Sequence, residues 1–271
     1  MDKFDTAAEC LAPEERNCEG GGENMQMKTI QDTTVAFYSH FVCTDLSGLA
    51  GGVHFVCSPE RDEEVRGFGC KYGAYILVRD GLCVAAYSPK YKALFQDLKD
   101  LSAEQLVTAL KRRYRLRRLK IFVFCGEKIK HFAAARLLEP IDYPLYEAFF
   151  RETNPDADPE CWLCDYFTEK VDRGLFAGSF ADGKLVSVCD APDMPYMVGR
   201  IQHTGIMTRA DARCRGYGKA AAALLTHHLI ESGVCPQWEC EAENAGSIAL
   251  ARSIGYEEYA EAYILEEALS D

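Results

Sequence analysis

One stretch of the sequence, residues 206 to 219, constrains what this chain can fold into. It joins a β-branched apolar run to an alanine-rich helical pattern through a loop that reads Arg-Cys-Arg-Gly-Tyr-Gly from Arg213 to Gly218. Glycines at alternate positions permit a tight turn and leave backbone N–H groups uncovered, and the following helix adds the positive end of its dipole. The stretch therefore predicts a strand, a loop and a helix N-terminus that together form an anion-binding cradle.

Cationic side chains surround the predicted cradle. Arg213, Arg215 and Lys219 would supply positive charge to a ligand the size of a pyrophosphate. The loop matches Arg/Gln-x-x-Gly-x-Gly/Ala and so resembles the acetyl-coenzyme A signature of the GNAT superfamily of N-acetyltransferases. A second segment, Asn-x-x-Ser-x-x-Leu-Ala-x-x-x-Gly-Tyr from Asn244 to Tyr256, resembles the short helix that follows later in that family.

The resemblance covers roughly residues 132 to 271, about half of the chain. It implies an α/β (α+β) fold with a GNAT-like mixed, mostly antiparallel sheet flanked by helices. We therefore predict a catalytic GNAT domain over residues 131–271 and an N-terminal α/β domain of unknown function over residues 1–130. The phosphate-binding signature occurs once, so the first domain would at most be a degenerate copy of the same fold.

The resemblance also implies where acetyl-coenzyme A would bind. Its diphosphate would lie on the main-chain amides from Arg213 to Lys219, and its pantetheine arm would pair with the strand edge at Ile206 to Thr208. The family further implies a splay between this strand and the one ending at Glu243, with a backbone N–H facing the thioester oxygen. The predicted cofactor-binding residues are Ile206, Met207, Thr208, Arg213, Cys214, Arg215, Gly216, Tyr217, Gly218, Lys219, Asn244 and Ser247.

The attacking amine must be neutral, which makes a general base useful. An alkyl amine is deprotonated in only about one molecule in a few thousand at pH 7, and a positioned base contributes about 10²- to 10⁴-fold to the rate. Strand alternation puts Glu239 and Glu241 on one face, opposite a face that suits packing against a helix. Each glutamate could instead be a solvated charge, and His203 could be a satisfied polar residue. The candidates on the splayed strands are His203, Glu239, Glu241 and Glu243.

The chain departs from the family at the general acid. Many members carry a tyrosine immediately after the leucine of the short helix, where this chain has Ala251. Tyr217, Tyr256, Tyr259 or water would have to protonate the departing thiolate, and Tyr256 is our candidate. Two structural alternatives stay open here. Asn244 is also a favoured helix N-cap, and Tyr256 could simply bury its ring after the helix ends.

The charge composition limits the classes of binding partner. The formal net charge is -12, which disfavours non-specific binding to nucleic acid or an anionic membrane and is compatible with a cationic amine substrate. Seven of the ten residues from Lys111 to Lys120 are basic, yet no aromatic stacking series accompanies them. We predict that these cations lie at a helix C-terminus before a strand, and we expect no nucleic-acid or membrane partner. A homodimer is left open.

The cysteines indicate a reducing compartment. The thirteen cysteines have no disulfide-framework spacing, and there is no N-terminal signal pattern or long apolar span. We therefore expect a soluble, cytoplasmic protein with reduced thiols. The pair Cys161 and Cys164 could be half of a zinc site or a redox motif. No second pair stands at ligand spacing, so we predict buried thiols here and no metal.

The N-terminal half contains strand-like sequence from residue 33 to 87. It includes a predicted strand at Thr34–Tyr38 and a hairpin whose turn is Asp80-Gly81. A second hairpin turn is predicted at Asp182-Gly183, and a single strand is predicted from Tyr196 to Thr208. The long helix after the cradle should stop at Gly233.

Three functional hypotheses follow. The leading one is an acetyl-coenzyme A-dependent N-acetyltransferase that acts on a primary amine of a small molecule by direct attack on the thioester. The pattern Pro236-x-Trp238, with the pair Leu250-Ala251 in the short helix and a long non-catalytic first half, resembles the subgroup that includes zwittermicin-type resistance acetyltransferases. Ala251 motivates the second hypothesis, a catalytically silent acyl-coenzyme A sensor. The third is a protein N-acetyltransferase.

Overall fold

The structure is a computed structural model, and it describes residues 27–65, 70–126, 135–160 and 162–266. The helices in these ranges are α1 (Met27–Phe41), α2 (Lys92–Asp97), α3 (Ala103–Lys111), α4 (Tyr143–Thr153), α5 (Leu163–Asp172), α6 (Tyr217–Glu231) and α7 (Ala245–Ser253). The strands are β1 (Gly52–Cys57), β2 (Glu64–Val65), β3 (Cys70–Arg79), β4 (Leu82–Tyr87), β5 (Leu116–Phe124), β6 (Ala135–Leu137), β7 (Ala177–Ala181), β8 (Lys184–Asp190), β9 (Ile201–His203), β10 (Gly205–Thr208), β11 (Cys235–Glu241) and β12 (Tyr256–Glu266).

The strands form a large sheet and a small one. The large sheet has the order β1-β4-β3-β12-β5-β11-β9, with β2 attached to β3. The small sheet has the order β10-β8-β7-β6. Only the pairs β1–β4 and β9–β11 are parallel among the described strands. The predicted fold class, a mixed and mostly antiparallel GNAT-like sheet flanked by helices, is confirmed.

The large sheet runs across the predicted domain boundary near residue 130. Strand β5, which precedes the boundary, lies between β11 and β12, which follow it. Strand β12 in turn pairs with β3 on its other side. The division into residues 1–130 and 131–271 stays a prediction about folding units, but the hydrogen-bonded sheet is shared between them.

Helix α1 corrects one prediction. The segment Thr34–Tyr38, predicted as a strand, lies inside this helix. Ile30, Thr34, Phe37 and Phe41 are all buried, and their spacing follows the helical repeat. The β-branched run Thr33-Thr34-Val35 favours a strand locally, but burial of this helical stripe against the sheet decides the outcome.

Both predicted hairpin turns are confirmed. Asp80 and Gly81 have φ angles of 45° and 79° and connect β3 to β4. Asp182 and Gly183 have φ angles of 50° and 73° and connect β7 to β8. Two consecutive positive φ angles are what a two-residue hairpin turn requires, and Asp-Gly adopts them at low cost.

The helices lie on opposite sides of the sheets. Helices α4 and α5 form an aromatic cluster with strand β8, in which Tyr146, Phe167 and Val188 are buried together. Helix α1 packs on β11 through a hydrogen bond between Thr34 and Gln237. Helix α7 contacts the other side of β11 through Trp238 and Ser247. The site described next lies where the two sheets part.

Candidate active site

The two sheets part after His203. Strand β9 runs parallel to β11 as far as the register pair His203 and Gln237, and the N–H of Thr204 donates to the Gln237 carbonyl at 3.2 Å. From Gly205 onward the chain pairs with β8 instead, while β11 continues beside β5. The single strand predicted over 196–208 is therefore two strands that belong to different sheets, and a cleft opens between β10 and β11.

The cleft has a volume of about 790 Å³, within the range of small-molecule sites. All of the predicted cofactor-binding residues line it except Arg215. The lining residues that the prediction omitted are Thr204, Gly205, Ala212, Glu239, Cys240, Glu241, Gly246 and Leu250. Of the five catalytic candidates, Glu239 and Glu241 line the cleft, whereas His203, Glu243 and Tyr256 do not.

The glycine loop closes one end of the cleft. Gly216 is the N-cap of α6 and has a φ angle of 86°, which favours glycine. The first helical bond runs from Ala220 N to Gly216 O at 3.0 Å. The N–H groups of Tyr217, Gly218 and Lys219 precede that bond, so the helix itself provides no acceptor for them. These N–H groups are therefore available to an anion at the start of α6, where the helix dipole also favours negative charge.

Position 218 requires glycine for a different reason. A Cβ atom at this position would lie 3.0 Å from Oγ1 of Thr208, whose hydroxyl is held 2.7 Å from Oγ of Ser187. The absent side chain therefore lets the first turn of α6 approach the end of β10. Arg213 secures the connecting loop, since its Nε donates to the Thr208 carbonyl at 3.3 Å.

The free edge of β10 faces the cleft. The N–H of Arg209 donates to the Val186 carbonyl at 3.0 Å, which makes these residues a hydrogen-bonded pair of the antiparallel ladder with β8. Such pairs alternate along the strand, so Met207 turns its main-chain groups toward β8. Ile206 and Thr208 turn theirs the other way. This edge can therefore pair with an extended, peptide-like ligand.

The opposite wall is formed by β11 from Glu239 to Glu241, and these two glutamates share one face of the strand. Trp238 and Cys240 are buried on the other face, as strand alternation predicts. The indole Nε1 of Trp238 donates to Oγ of Ser247 in α7 at 3.0 Å. Asn244 caps α7, because its side chain accepts from the Ser247 N–H at 3.0 Å. The capping role of Asn244 is thus confirmed.

Glu239 has an environment suited to proton transfer. Burial raises the pKa of its carboxyl to about 7, although a hydrogen bond from Tyr38 and the charge of Arg117 act in the opposite direction. The Tyr38 hydroxyl donates to Oε2 at 3.0 Å. A carboxyl with this pKa is partly charged at neutral pH and can both accept and release a proton there.

Glu241 is held differently. Nε of Arg117 lies 2.5 Å from Oε1 of Glu241, and both side chains are partly exposed, by 38% and 44%. The carboxylate lines the cleft but is engaged by a guanidinium from β5. Its environment is that of a cross-strand ion pair.

The structure does not bring His203 or Tyr256 to the cleft. The His203 ring is buried 5.4 Å from the Phe37 ring, and burial lowers its pKa to about 4, so that it is neutral at pH 7. Tyr256 is buried against Trp238, and its hydroxyl lies 3.0 Å from Oγ1 of Thr226. Their catalytic roles stay predictions that this placement does not support, and the structural alternative for the Tyr256 ring is confirmed.

Tyr38 is the residue that the sequence reasoning missed. It lies 201 residues before its partner Glu239 and within a segment predicted as a strand. The helical spacing of the buried residues of α1 could have identified the helix, but no local pattern indicates what its tyrosine contacts. Ala251, at the position of the usual acid, is fully buried in α7.

The remaining candidate site is the cysteine pair Cys161 and Cys164. Within the described ranges no group of three or more His, Cys, Asp or Glu side chains could hold a metal ion. Cys164 is exposed, so the predicted burial is wrong for this thiol, and Cys161 lies outside the described residues.

Three of the seven cations of the basic segment form ion pairs across the sheet. Arg117 pairs with Glu241, Arg118 with Glu261, and Lys120 with Glu258. These three cations lie on β5 itself, whereas Lys111 ends α3 as predicted. Cross-strand pairing accounts for them without a nucleic acid. None of the helices in the described ranges is long and apolar enough to cross a membrane.

Comparison with known proteins agrees with this architecture. The model of the GNAT acetyltransferase family matches residues 127–265, just over half of the chain. No curated protein matches the chain.

Three solved structures are similar. An acetyltransferase of the GNAT family from Colwellia psychrerythraea has 13% identity and a TM-score of 0.53, over 89% of this chain and 97% of that one. A GCN5-related N-acetyltransferase-like protein from Streptococcus suis has 16% identity and a TM-score of 0.44, over 88% and 99%. A protein assigned to the GNAT family from Novosphingobium aromaticivorans has 21% identity and a TM-score of 0.43, over 57% of this chain and 66% of its own length. At these identities the Colwellia structure supports the fold alone.

Proposed function

This chain belongs to the GNAT acetyltransferase family, and from that premise we propose that it is an acetyl-coenzyme A-dependent N-acetyltransferase acting on a primary amine of a small molecule. The observation that carries the proposal is the cleft between β10 and β11. One wall offers main-chain N–H groups and the other offers Glu239, whose pKa of about 7 suits a general base.

The residues of the cleft fit acetyl-coenzyme A. The N-terminal amides of α6 from Tyr217 to Lys219 would hold the diphosphate, and the edge of β10 at Ile206 and Thr208 would pair with the pantetheine arm. The bound cofactor supplies the activated acetyl group as a thioester. Gly216 keeps this surface open because it adopts a positive φ angle, and Gly218 does so because it has no side chain.

Glu239 would act on the amine. It takes one proton from the ammonium form of the acceptor, so that the neutral amine forms the new nitrogen–carbon bond. The carbon–sulfur bond then breaks with its electron pair leaving on sulfur, and the second nitrogen proton passes through water to the thiolate. A thiolate has a conjugate-acid pKa of about 8.5, so it departs at neutral pH more easily than an amine would. This chemistry lets the chain work with Ala251 at the place of the usual acid, with water protonating the thiolate.

The two carboxyls of the β11 wall are compatible with a cationic acceptor, although Arg117 pairs with Glu241 and the cations Arg213 and Lys219 line the same cleft. Glu239 and Glu241 line the cleft, and the chain carries a formal net charge of -12. Negative potential at a cleft raises the local concentration of positively charged substrates. Within the family, Pro236 and Trp238 on β11 favour the zwittermicin-type resistance subgroup, whose acceptors would then be the first amines to test.

Coenzyme A release tests the proposal directly. The protein is mixed with acetyl-coenzyme A and a panel of small primary amines, polyamines and short peptides, and free thiol is measured against a no-amine control. We expect release with at least one small amine and much less with peptides. No release with any amine, alongside normal acetyl-coenzyme A binding by calorimetry, would refute the transferase.

That negative outcome would favour the second candidate, a silent acyl-coenzyme A sensor. The observation that supports it is the complete burial of Ala251, since the conventional acid is absent from this helix. A sensor would change its oligomeric state or its partner binding on addition of acetyl-coenzyme A without releasing coenzyme A. Analytical ultracentrifugation with and without cofactor separates the two functions.

A further inference from the structure

Hydrogen-bonding residues of helix α1 and strand β11 lie at similar intervals along the two elements. The Thr34 hydroxyl shares its proton between the Ile30 carbonyl at 2.9 Å and Oε1 of Gln237 at 3.3 Å. One helical turn later, the Tyr38 hydroxyl donates to Oε2 of Glu239 at 3.0 Å. Four residues of a helix rise about 6 Å, and two residues of a strand rise about 6.6 Å. The two elements therefore present partners at the same interval, and Tyr38 meets Glu239 as a consequence of how α1 docks.

The Tyr38 hydroxyl is fixed in place. The residue is fully buried, and its ring lies 5.2 Å from the Phe37 ring and 6.1 Å from the Tyr259 ring. Burial raises the pKa of the phenol well above its ordinary value, so the hydroxyl keeps its proton near neutral pH. A rigid donor of this kind selects one orientation of the carboxylate that it contacts.

We propose that Tyr38 is a positioning residue for the general base: its hydroxyl occupies Oε2 of Glu239, orients the carboxylate and favours the charged form. This inference rests on the proposed function, in which Glu239 is the base. It also makes the first half of the chain part of the reaction centre, although the family model begins at residue 127. Oε1 is then the oxygen that receives the amine proton.

Docking of α1 on β11 does not by itself require a hydrogen bond between a tyrosine and a carboxylate. The neighbouring bond between Thr34 and Gln237 joins the same two elements with neutral groups and carries no desolvation cost for a charge. A carboxylate in a half-buried wall is costly unless it is hydrogen-bonded. The Tyr38 bond offsets part of that cost while leaving the carboxyl able to titrate near neutral pH.

The pH profile of Tyr38→Phe tests the inference. Loss of a hydrogen bond to the charged carboxylate raises the pKa of Glu239, so the acidic limb of kcat/KM should move up by about one pH unit. Activity at pH 7 should fall several-fold and recover by pH 9. A merely structural tyrosine would lower the whole profile without moving its midpoint.

Two matched variants control for the loss of a buried hydroxyl and for helix docking. Tyr75→Phe removes a buried phenol that lies near the charge of Glu239. The Tyr75 hydroxyl has no hydrogen-bond partner among the described residues. Thr34→Val removes the neutral docking bond. Both should keep the wild-type midpoint, and a midpoint shift in Tyr75→Phe equal to that in Tyr38→Phe would overturn the inference.

A readout independent of turnover separates this inference from the proposed function. The carboxyl of Glu239 is titrated by infrared difference spectroscopy with labelled glutamate, and its signal is identified by its loss in Glu239→Gln. An upward shift of the Glu239 pKa in Tyr38→Phe, in a protein that transfers no acetyl group, would support the contact and refute the transferase. An unchanged titration in Tyr38→Phe would overturn the inference even in an active enzyme. Should Tyr38→Phe not fold, 3-fluorotyrosine at position 38, a stronger donor, should shift the midpoint downward, and no shift would count equally against it.

Discussion

On the β10 side of the cleft, the groups that face a ligand are main-chain amides, exposed because Gly216 adopts a φ angle of 86° and Gly218 has no side chain. On the β11 side, the groups are the carboxyls of Glu239 and Glu241, whose properties come from Tyr38 and Arg117 on other elements. The first wall depends on residues close together in the chain. The second depends on contacts between residues that are far apart.

The difference sets what each wall tolerates. A main-chain wall is insensitive to most side-chain changes but sensitive to bulk or charge at its glycines. A side-chain wall responds to any change in its partners, because burial and hydrogen bonding set the pKa. Substitutions in the two walls should therefore affect different quantities, namely cofactor affinity on the β10 side and rate and pH dependence on the β11 side.

The largest effect should come from Glu239→Gln. Removal of the general base should lower kcat by about 10²- to 10⁴-fold at pH 7 and abolish the acidic limb of the profile, while calorimetry shows unchanged acetyl-coenzyme A affinity. Glu241→Gln is the matched control on the same face of β11. It breaks a partly exposed ion pair worth about 0.2–1 kcal/mol, so its loss in rate should stay below about tenfold. Equal losses in both variants would contradict the distinction between the two carboxyls.

The geometry of the β10 wall could be predicted from the sequence because its determinants are local. The strand edge, the turn and the helix N-terminus lie within residues 206 to 219, and glycine placement encodes their geometry directly. The N-cap role of Asn244 follows equally from its position before α7. The family resemblance implies a splay at this point, but the residues alone do not indicate that the chain changes sheets at Gly205, since partner choice depends on strands β8 and β11, which lie elsewhere in the chain.

For the β11 wall the sequence offers only a set of candidate residues. Strand alternation identified Glu239 and Glu241 as sharing a face, but nothing near them distinguishes a base from an ion pair. That distinction comes from Tyr38, in a helix mistaken for a strand because its β-branched residues obscure the helical repeat. The shared sheet was missed for a related reason. The pairing of β5 with β11 and β12 joins distant segments, and local propensity carries no information about it.

The second largest effect should come from Gly218→Asp. The new carboxylate would stand at the N-terminus of α6 beside the diphosphate, and at an effective dielectric constant of about 20 two charges about 4 Å apart repel by about 4 kcal/mol. With allowance for screening, we expect the dissociation constant of acetyl-coenzyme A to rise about 10²-fold by calorimetry. Gly48→Asp, at a site with open space around the glycine, is the control and should bind normally. Wild-type affinity in a folded Gly218→Asp protein would refute the placement of the diphosphate.

A smaller effect concerns stability and again belongs to the β11 side. Glu239 has a folded pKa of about 7, raised by burial above its ordinary value. The stability it contributes is therefore fully present below the unfolded pKa and is lost as pH rises through about 7. Glu239→Gln removes this dependence, so it should be more stable than the wild type at pH 8 by about 1–2 kcal/mol, after allowance for partial exposure, and nearly equal at pH 4.5. Urea denaturation at both pH values measures this, and a constant difference would show that the carboxyl does not titrate in this range.

The smallest effect separates the two glycines of the loop. Gly216→Ala meets no atom within 4 Å but must hold a φ angle of 86°, so it should lower the free energy of unfolding by about 1 kcal/mol and change the acetyl-coenzyme A affinity little. Gly216→Asn, which tolerates this conformation better, should recover part of the loss. Gly218→Ala should do the reverse, since its Cβ would press on Thr208 at 3.0 Å and displace the helix end that faces the ligand. If both alanine variants changed affinity and stability in the same ratio, the loop would be acting as one structural unit, and the assignment of conformation to Gly216 and close approach to Gly218 would be wrong.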